Sequence, residues 1–387
     1  MILIENANVV LENGILFNGY ILVEGDRITA VMDNNGAESC ENVERYNAGG
    51  SYVGPGFVDI HVHGGDAYMF HSEPEKAARH FLLHGETTVL AALYYDLPKD
   101  RFLTAIDRVK RTMALPEGST IKGFYMEGPY MNPSYGASPG KNQWRGAISP
   151  DHYVDLVDRA GSFVKVWAIA PERDGIEDFV LYAKQVNPNV RFAVGHSEAT
   201  PDQINRLKKY GLSISTHCMD ATGRTVKWTG TRGCGPDEAC MLDDSMYAEI
   251  ICDSMGVHVS PELIRLLLKT KGMDRTILIT DSFVSGEPPP NELKTILDLS
   301  FDAAGNLCGS RLTMDIACRN LMRHTNCGIA QAFLLASRNP ARAIGMDREI
   351  GTIEKGKKAD LVFCDDVFNV KSVMLNGKMI PMEEGRT

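Results

Sequence analysis

The sequence predicts an α/β fold: a (β/α)8 TIM barrel with a small β-sandwich domain formed by both termini. First, the middle of the chain contains eight short apolar runs, and helix-like amphipathic segments fill most of the gaps between them. Strands that alternate with helices form right-handed βαβ units on a parallel sheet. Second, eight such units over roughly 290 residues fit a closed barrel better than an open sheet. Third, both ends of the chain are β-rich and broken by turn sequences such as Asn-Gly.

Taken in chain order, the β-rich start covers residues 1–53 and the similar end covers 346–387, and we assign both to the small β domain. Residues 54–345 are assigned to the barrel. Its strands are predicted at 56–62, 87–93, 121–126, 164–170, 191–194, 212–216, 248–251 and 276–280. The segments between them, such as PEKAARHFLLHG and SPELIRLLLKTKG, carry apolar residues at helical spacing.

Composition excludes several classes of protein. Of 387 residues, 44% are hydrophobic and 23% are charged, which is typical of a globular protein and not of a disordered or collagen-like one. The net charge is −10 and no run of Lys or Arg occurs, so we expect neither a nucleic acid nor a membrane as partner. The start does not resemble a signal peptide, and the nine cysteines are scattered without a CxxC pair. We therefore expect a cytoplasmic protein with reduced thiols.

The active site of such a barrel lies at the carboxyl ends of its strands. Six residues of metal-ligand type lie at the ends of five predicted strands: His61, His63, Glu127, His196, His217 and Asp281. Residues two apart on a strand point to the same side, so both imidazoles of the His-Val-His sequence can reach one ion. His258 lies in the loop after the seventh strand and faces the same end of the barrel.

This set of side chains predicts a catalytic metal site. Imidazoles and carboxylates without paired thiolates suit Zn²⁺ first, and Fe²⁺ or another first-row metal as well. An open position on such an ion lowers the pKa of a bound water toward about 7. Asp281 is our candidate for the acid/base that takes the proton of this water and delivers it to a leaving amine. The predicted reaction is hydrolysis of an amide or related carbonyl by metal-bound hydroxide.

At this point the sequence resembles a known group, the amidohydrolase superfamily. The resemblance lies in PGFVDIHVHGG, in the ordered Glu, His, His and Asp at strand ends, and in GTIEKGKKADLVF near the end of the chain. Within the superfamily the chain resembles the N-acetylglucosamine-6-phosphate deacetylase family over essentially its whole length. The motifs are EGPY, APE, GHSEAT, HCMDA, DSMGVHVSP, LITDS, GSRLTM and NPARAIGM.

The resemblance implies a homodimeric enzyme of amino-sugar metabolism that converts a small amido-sugar, N-acetylglucosamine 6-phosphate, to glucosamine 6-phosphate and acetate. By motif position, Glu127, His196 and His217 would hold the principal ion. His61 and His63 would complete a second position, with Glu127 as the bridge. Some members of the family lack this His pair, so the resemblance implies one or two ions. Asp281 would be the acid/base, as the residues themselves suggest.

The resemblance also implies the substrate contacts. His258 would bind the substrate and polarise the scissile carbonyl, and Leu312 would line the acetyl pocket. Arg232 falls where the family keeps a phosphate-binding Arg that reaches across the dimer. Asp220 and Ala221 would lie beside the sugar phosphate. Ser138, also assigned to the substrate site, stands where the family has a phosphate-contacting His.

Three departures from the family pattern concern the phosphate. Asp220 replaces an Asn, and a carboxylate facing a phosphate dianion would repel it. Ser138 and Pro139 replace the expected His, and GRTVKWTGTRGCGP replaces a His-Arg-Glu-Pro-Gly type of loop. In one interpretation the phosphate site is rebuilt from cations in new positions, with the candidates Lys141, Arg145, Arg224, Lys227 and Arg232. In the other, the substrate lacks phosphate and Asp220 binds a hydroxyl or an amine.

Two broader alternatives remain open. One is a different amidohydrolase, acting on an N-acyl amino acid, a cyclic amide or an unphosphorylated amido-sugar. The cyclic-amide branches use a carboxylated Lys as the bridge, and Glu127 holds that place here. The other is a catalytically inactive scaffold, which the retention of all six ligand-type residues disfavours.

Overall fold

The computed structural model describes residues 1–33, 43–137, 140 and 142–382. The chain begins with five strands of a terminal sheet. They are β1 (Ile2–Leu11), β2 (Gly14–Glu24), β3 (Arg27–Met32), β4 (Glu44–Asn47) and β5 (Tyr52–Pro55). Strands β1, β2 and β3 form an antiparallel meander, and β4 and β5 both pair with β1 in parallel. Turn sequences such as Asn13-Gly14 connect the meander, as the composition of this segment predicts.

Eight parallel strands then form the barrel. They are β6 (Phe57–Val62), β9 (Glu86–Tyr94), β10 (Ile121–Glu127), β11 (Val164–Ile169), β12 (Arg191–Val194), β13 (Leu212–Ser215), β14 (Tyr247–Ile251) and β15 (Thr276–Ile279). The short hairpin of β7 (Gly64–Gly65) and β8 (Tyr68–Met69) follows the first of them. Each strand pairs with the next one in the chain. The Asp281 N–H donates to the His61 carbonyl and the His63 N–H donates to the Ser282 carbonyl, both at 2.9 Å, so the last strand meets the first.

Helices alternate with these strands and cover the outside of the barrel. They are α1 (Pro74–Leu83), α2 (Lys99–Met113), α3 (Pro150–Ala160), α4 (Ile176–Val186), α5 (Pro201–Lys208), α6 (Pro236–Leu242), α7 (Pro261–Lys271), α8 (Met314–Thr325), α9 (Ile329–Phe333) and α10 (Asn339–Ala343). Helix α2 shows why they pack there: Phe102, Ala105, Ile106 and Val109 form one buried stripe at helical spacing. Short helical turns lie at 116–118, 161–163 and 291–293, and a π-helical turn at 334–338.

The end of the chain returns to the terminal sheet. After the hairpin of β16 (Leu299–Phe301) and β17 (Leu307–Ser310), three strands complete this sheet: β18 (Leu361–Cys364), β19 (Val370–Leu375) and β20 (Lys378–Met379). The order is β20-β19-β18-β5-β1-β2-β3, with β4 beside β1. The Ile28 N–H of β3 donates to the Lys357 carbonyl just before β18, so the sheet curls over its own apolar core.

These elements confirm the predicted fold class, and all eight predicted barrel strands are present. Strand β5 runs across the predicted boundary at residue 53, and the division into two domains stays a prediction. The eight cysteines within the described ranges are free thiols, whereas Cys40 lies outside those ranges. Among the described residues, no helix is both long enough and apolar enough to cross a membrane.

Candidate metal centre and active site

The carboxyl end of the barrel gathers the six predicted ligand residues into two adjoining clusters. One consists of His61, His63, Glu127 and Asp281, and the other of Glu127, His196 and His217. Within each cluster, one donor atom from every residue lies within 4.8 Å of the others. All six residues are buried. Glu127 belongs to both clusters, so it is the residue that joins them.

The two carboxylate oxygens of Glu127 face different clusters. Its Oε1 lies 2.7 Å from the Nε2 of His196 and 3.1 Å from the Nε2 of His217. Its Oε2 lies 2.9 Å from the Nε2 of His63 and 3.4 Å from the Nε2 of His61. Asp281 closes the second cluster, because its Oδ1 lies 3.3 Å from the Nε2 of His63 and 3.5 Å from that of His61. This is the arrangement of a bridging carboxylate between two positions.

Three of the six residues hold an unusual backbone conformation. His196, His217 and Asp281 have φ angles of 45°, 25° and 47°, which lie in the left-handed region. Each residue follows a barrel strand within two residues, so the chain reverses at the strand end and turns the side chain toward Glu127. Such a conformation costs about 1–3 kcal/mol for a non-glycine residue and is concentrated at functional sites. Strain at three converging strand ends marks this place as a site.

The charges of the clusters are those of a cation site. Burial disfavours the charged imidazoles, but the carboxylates of Glu127 and Asp281 outweigh it and raise the pKa of His63 to about 9. Burial also opposes charge on His217, but the Glu127 carboxylate outweighs this effect and raises the pKa of His217 to about 9. Burial opposes ionisation of Glu127, yet the surrounding imidazoles hold its pKa well below the usual value. The two carboxylates therefore attract positive charge, which protons supply when no metal ion is bound.

The residues present fit a divalent metal ion. The Nε2 of His61 is buried and has no hydrogen-bond partner within the described part of the chain, although it points between Glu127 and Asp281. A buried ring nitrogen without a partner is costly unless a ligand satisfies it. The donor set consists of imidazoles and carboxylates with no thiolate, which suits Zn²⁺, Fe²⁺ or another first-row metal.

A cavity of about 240 Å³ opens above the clusters. Besides the candidate ligands, its lining includes Tyr94, Ala137, Asp220, Ala221, Phe283 and Leu307. The hairpin of β16 and β17 forms one wall through residues 306–309. The described residues that line the cavity include acidic side chains and no Lys or Arg. The cavity can therefore hold a small polar molecule with its reacting group over Glu127.

Some of the predicted substrate residues line the cavity, and others are buried outside its lining. Asp220 and Ala221 line the cavity. His258 is buried beside it, with its Nδ1 3.0 Å from the Asp253 carboxylate and its Nε2 3.2 Å from the Gly309 carbonyl. Burial opposes charge on His258, but the Asp253 carboxylate raises its pKa. Leu312 is fully buried and is not among the described residues that line the cavity, and its contact with the acetyl group stays a prediction.

The predicted phosphate residues lie on the outer loops. The side chain of Arg232 is 73% exposed, and its Nη2 lies 3.3 Å from the Oε1 of Glu238. Arg224 shares this partner, with its Nε 3.5 Å from the same oxygen. The Arg145 Nε donates to the Asn142 carbonyl. Ser138, Pro139 and Lys141 lie outside the described residues.

Sequence reasoning missed several residues of the site. Tyr94 lines the cavity at the end of the second barrel strand, and the rule that located the six ligands would have found it. Glu249 is a fully buried glutamate within an otherwise apolar strand, a signal that was present in the run AEII. Phe283 and Cys308 also line the cavity, but no pattern in the sequence indicates that the segment after β15 and the hairpin of β16 and β17 fold over it.

The sequence is similar to those of known proteins over most of its length. A sequence profile of the Amidohydrolase family matches residues 52–380. The chain is 29% identical over 351 residues to N-acetylgalactosamine-6-phosphate deacetylase from Escherichia coli O157:H7, covering 84% of this chain and 86% of that protein. It is 27% identical over 385 residues to N-acetylglucosamine-6-phosphate deacetylase from Bacillus subtilis (strain 168), covering 93% and 92%.

The fold is also similar to those of solved deacetylase structures. N-acetyl-D-glucosamine-6-phosphate deacetylase from Mycobacterium smegmatis is 28% identical, with a TM-score of 0.81 over 98% of this chain and 100% of that chain. A mutant of that enzyme, solved in complex with N-acetyl-D-glucosamine-6-phosphate, has a TM-score of 0.80 at 28% identity over 98% of each chain. Similarity therefore extends over both the barrel and the terminal sheet.

Proposed function

The chain belongs to the amidohydrolase family, and we propose that it hydrolyses the N-acetyl group of N-acetylglucosamine 6-phosphate to give glucosamine 6-phosphate and acetate. The observation that carries this proposal is the pair of ligand clusters joined by Glu127 at the floor of a small acidic cavity. Relatives that match over most of their length bear the names of amino-sugar-phosphate deacetylases, which supports the substrate class. The chain is thus proposed to be a metal-dependent hydrolase of a linear amide bond.

We assign the ion positions from the two clusters. Glu127, His196 and His217 would hold the principal ion, and His61, His63 and Asp281 would complete a second position with Glu127 as the bridge. A bound divalent ion, Zn²⁺ first, would polarise the scissile carbonyl and acidify a water. The buried imidazoles and carboxylates fix the donor atoms before the substrate arrives, so little reorganisation is needed during the reaction.

Asp281 is assigned the acid/base role. Its carboxylate lines the cavity, and its Oδ1 lies 3.3 Å from the Nε2 of His63. Burial opposes its ionisation, but the neighbouring His61 and His63 lower its pKa, so the group is in the basic form at neutral pH. It can take a proton from the attacking water and return it to the amine nitrogen as the amide bond breaks.

His258 is assigned to the carbonyl oxygen of the substrate. The Asp253 carboxylate accepts from the Nδ1–H of its ring, and this contact fixes the direction in which Nε2 points. Nε2 lies 3.2 Å from the carbonyl of Gly309, a residue of the cavity wall. A substrate carbonyl would replace this backbone carbonyl as the partner of the Nε2–H of the imidazolium.

The phosphate would lie toward the outer loops. Arg224 and Arg232 both contact Glu238, and release of that carboxylate would free two guanidinium groups for a phosphate. The reach of Arg232 across a homodimer, the homodimer itself and a cytoplasmic location remain predictions from the family resemblance. Asp220 would face a sugar hydroxyl in this arrangement, because a carboxylate beside the phosphate would repel it.

The test is acetate release by zinc-loaded protein from N-acetylglucosamine 6-phosphate, measured beside the unphosphorylated sugar and N-acetylgalactosamine 6-phosphate. We expect a kcat/KM of about 10⁴ M⁻¹s⁻¹ or more on the phosphorylated glucosamine substrate and little turnover of the free sugar. The Asp281→Asn variant is the control and should lose about 10²–10⁴-fold in kcat. Turnover of the free sugar alone would contradict the phosphate assignment and favour an unphosphorylated amido-sugar held by Asp220.

A further inference from the structure

Glu249 lies on β14, directly below the candidate metal centre. It is fully buried, and three groups approach one of its oxygens, Oε2. The Nδ1 of His61 is 3.2 Å away, the Tyr125 O–H donates at 3.2 Å, and the His217 backbone N–H donates at 3.3 Å. One carboxylate therefore touches a side chain of one ligand cluster and the backbone of the other.

These contacts determine the tautomer of His61. Because Oε2 accepts from a backbone N–H and from a phenol, it also acts as an acceptor toward the imidazole, and the proton lies on Nδ1. Nε2 is then free of its proton in the neutral ring. That nitrogen is the one that points between Glu127 and Asp281. The Tyr125 ring stacks on His61 with centroids 4.1 Å apart and planes 19° apart, which holds the ring in this orientation.

The two imidazoles of the other cluster, His196 and His217, have no carboxylate behind them within the described part of the chain. The Nδ1 of His217 lies 3.2 Å from the Asp220 backbone carbonyl, which is a neutral partner. The Nδ1 of His196 is buried without a hydrogen-bond partner among the described residues. Of these three imidazoles, His61 alone is backed by a carboxylate within the described part of the chain. A carboxylate behind a ligating His fixes its tautomer and raises its basicity, and losing such a partner typically costs 10–100-fold in metal affinity.

We propose that Glu249 is a positioning residue that presents the Nε2 of His61 to a second metal ion and thereby makes the centre binuclear. The inference rests on the proposed function, since it assumes that the Glu127 centre binds a divalent ion. It goes further in naming the residue on which the second position depends. Glu249 touches neither substrate nor ion in this proposal and acts through His61.

The experiment is calorimetric titration of the metal-free full-length protein with Zn²⁺ alone, together with the zinc content after gel filtration. Wild type should bind two ions. In Glu249→Gln, which keeps the shape and removes the charge, one ion should bind within about threefold of wild-type affinity and the other should weaken by about 10–100-fold. Glu249→Asp should give the same result, because the shortened side chain no longer reaches the Nδ1 of His61.

Glu86→Gln is the matched control. Glu86 is also a fully buried barrel glutamate, but the donor to its Oε1 is the Met314 N–H. Equal weakening of both ions in the Glu249 variants, or a similar change in Glu86→Gln, would overturn the positioning role. Two tight ions in every Glu249 variant would also overturn it. A wild type that binds one ion would overturn the inference and leave the proposed function standing, whereas a wild type that binds none would overturn both.

Discussion

The residues around Glu127 are held by barrel strands, whereas the residues expected to contact the sugar phosphate lie on loops that leave those strands. At the metal centre, six buried side chains converge, and the distances from the imidazole nitrogens to the carboxylate oxygens of Glu127 and Asp281 are 2.7–3.5 Å. At the outer loops, Arg232 is largely exposed, and it contacts Glu238 in the first turn of the helix that follows its loop, α6. The two regions thus differ in how firmly the fold fixes the positions of their side chains.

This difference has a physical origin. The position of a strand end follows from pairing with both neighbouring strands, and the hydrogen bond from the Asp281 N–H to the His61 carbonyl ties the last strand to the first. A loop has no such partners, and its shape depends on side-chain contacts and on bound substrate. We therefore expect variants at the centre to abolish function and variants at the loops to change specificity.

The largest effect is expected at Glu127. The Glu127→Gln variant replaces one of two ligand oxygens with an amide NH₂, which cannot bind a cation, and removes one charge from both clusters. We expect zinc binding to weaken at both positions and kcat for acetate release to fall by about 10³-fold or more. Zinc titration and the deacetylase assay measure the two effects. If Glu127→Gln kept two tight ions, Glu127 would not be the residue that joins the clusters.

The second prediction concerns pH and tests whether the centre is a cation site. The pKa values of His63 and His217 are about 9 in the metal-free protein, so at pH 7 both imidazoles carry protons. An ion must displace these protons, so zinc affinity should rise with pH up to about 9 and then level off. Each displaced proton adds about tenfold in affinity per pH unit.

Calorimetry in buffers of different ionisation enthalpy counts the released protons directly. Below pH 9, release should approach one proton for each of these two imidazoles that becomes a ligand. Zinc affinity that stays constant between pH 6.5 and 8.5 would show that neither His63 nor His217 is protonated in the metal-free centre.

The barrel and the six candidate ligands could both be predicted from the apolar runs in the sequence. Apolar runs mark barrel strands, and a rule on strand ends then locates His61, His63, Glu127, His196, His217 and Asp281 without any knowledge of loops. The structure gathers all six, and their roles remain predictions. Leu312, in contrast, was taken from a motif, and the loop after β17 buries it away from the described cavity lining. Phe283 and Cys308 were missed because their approach depends on how the hairpin of β16 and β17 folds over the cavity.

Glu249 shows a different limit. Its strand was predicted, and a charged residue within an apolar strand is visible in the sequence. Its partners could not be inferred, because β14 pairs with neither β6 nor β10 and its carboxylate reaches the Nδ1 of His61 and the hydroxyl of Tyr125 across the inside of the barrel. Contacts between strands that are distant in sequence can be predicted only from the closed barrel. Residues at strand ends can be predicted from the strand alone.

The smallest effect is expected at Asp220, and it sharpens the contrast between the centre and the loops. The Asp220→Asn variant keeps a side chain that can accept from a sugar hydroxyl and removes one negative charge from the cavity lining. If the phosphate lies toward Arg224 and Arg232, kcat/KM for N-acetylglucosamine 6-phosphate should stay within about threefold of wild type. The backbone carbonyl of Asp220, which contacts His217, is unchanged by the substitution, so zinc affinity should not move.

Asp202→Asn is the control, since Asp202 is an exposed residue of the first turn of α5 and its substitution makes the same change in net charge. A rise of about tenfold or more in kcat/KM for the phosphorylated sugar, specific to Asp220→Asn, would mean that the wild-type carboxylate repels the phosphate. Phosphate would then not be the native group at this position, and the loops would have diverged toward another amido-sugar while the strand-held centre kept its chemistry.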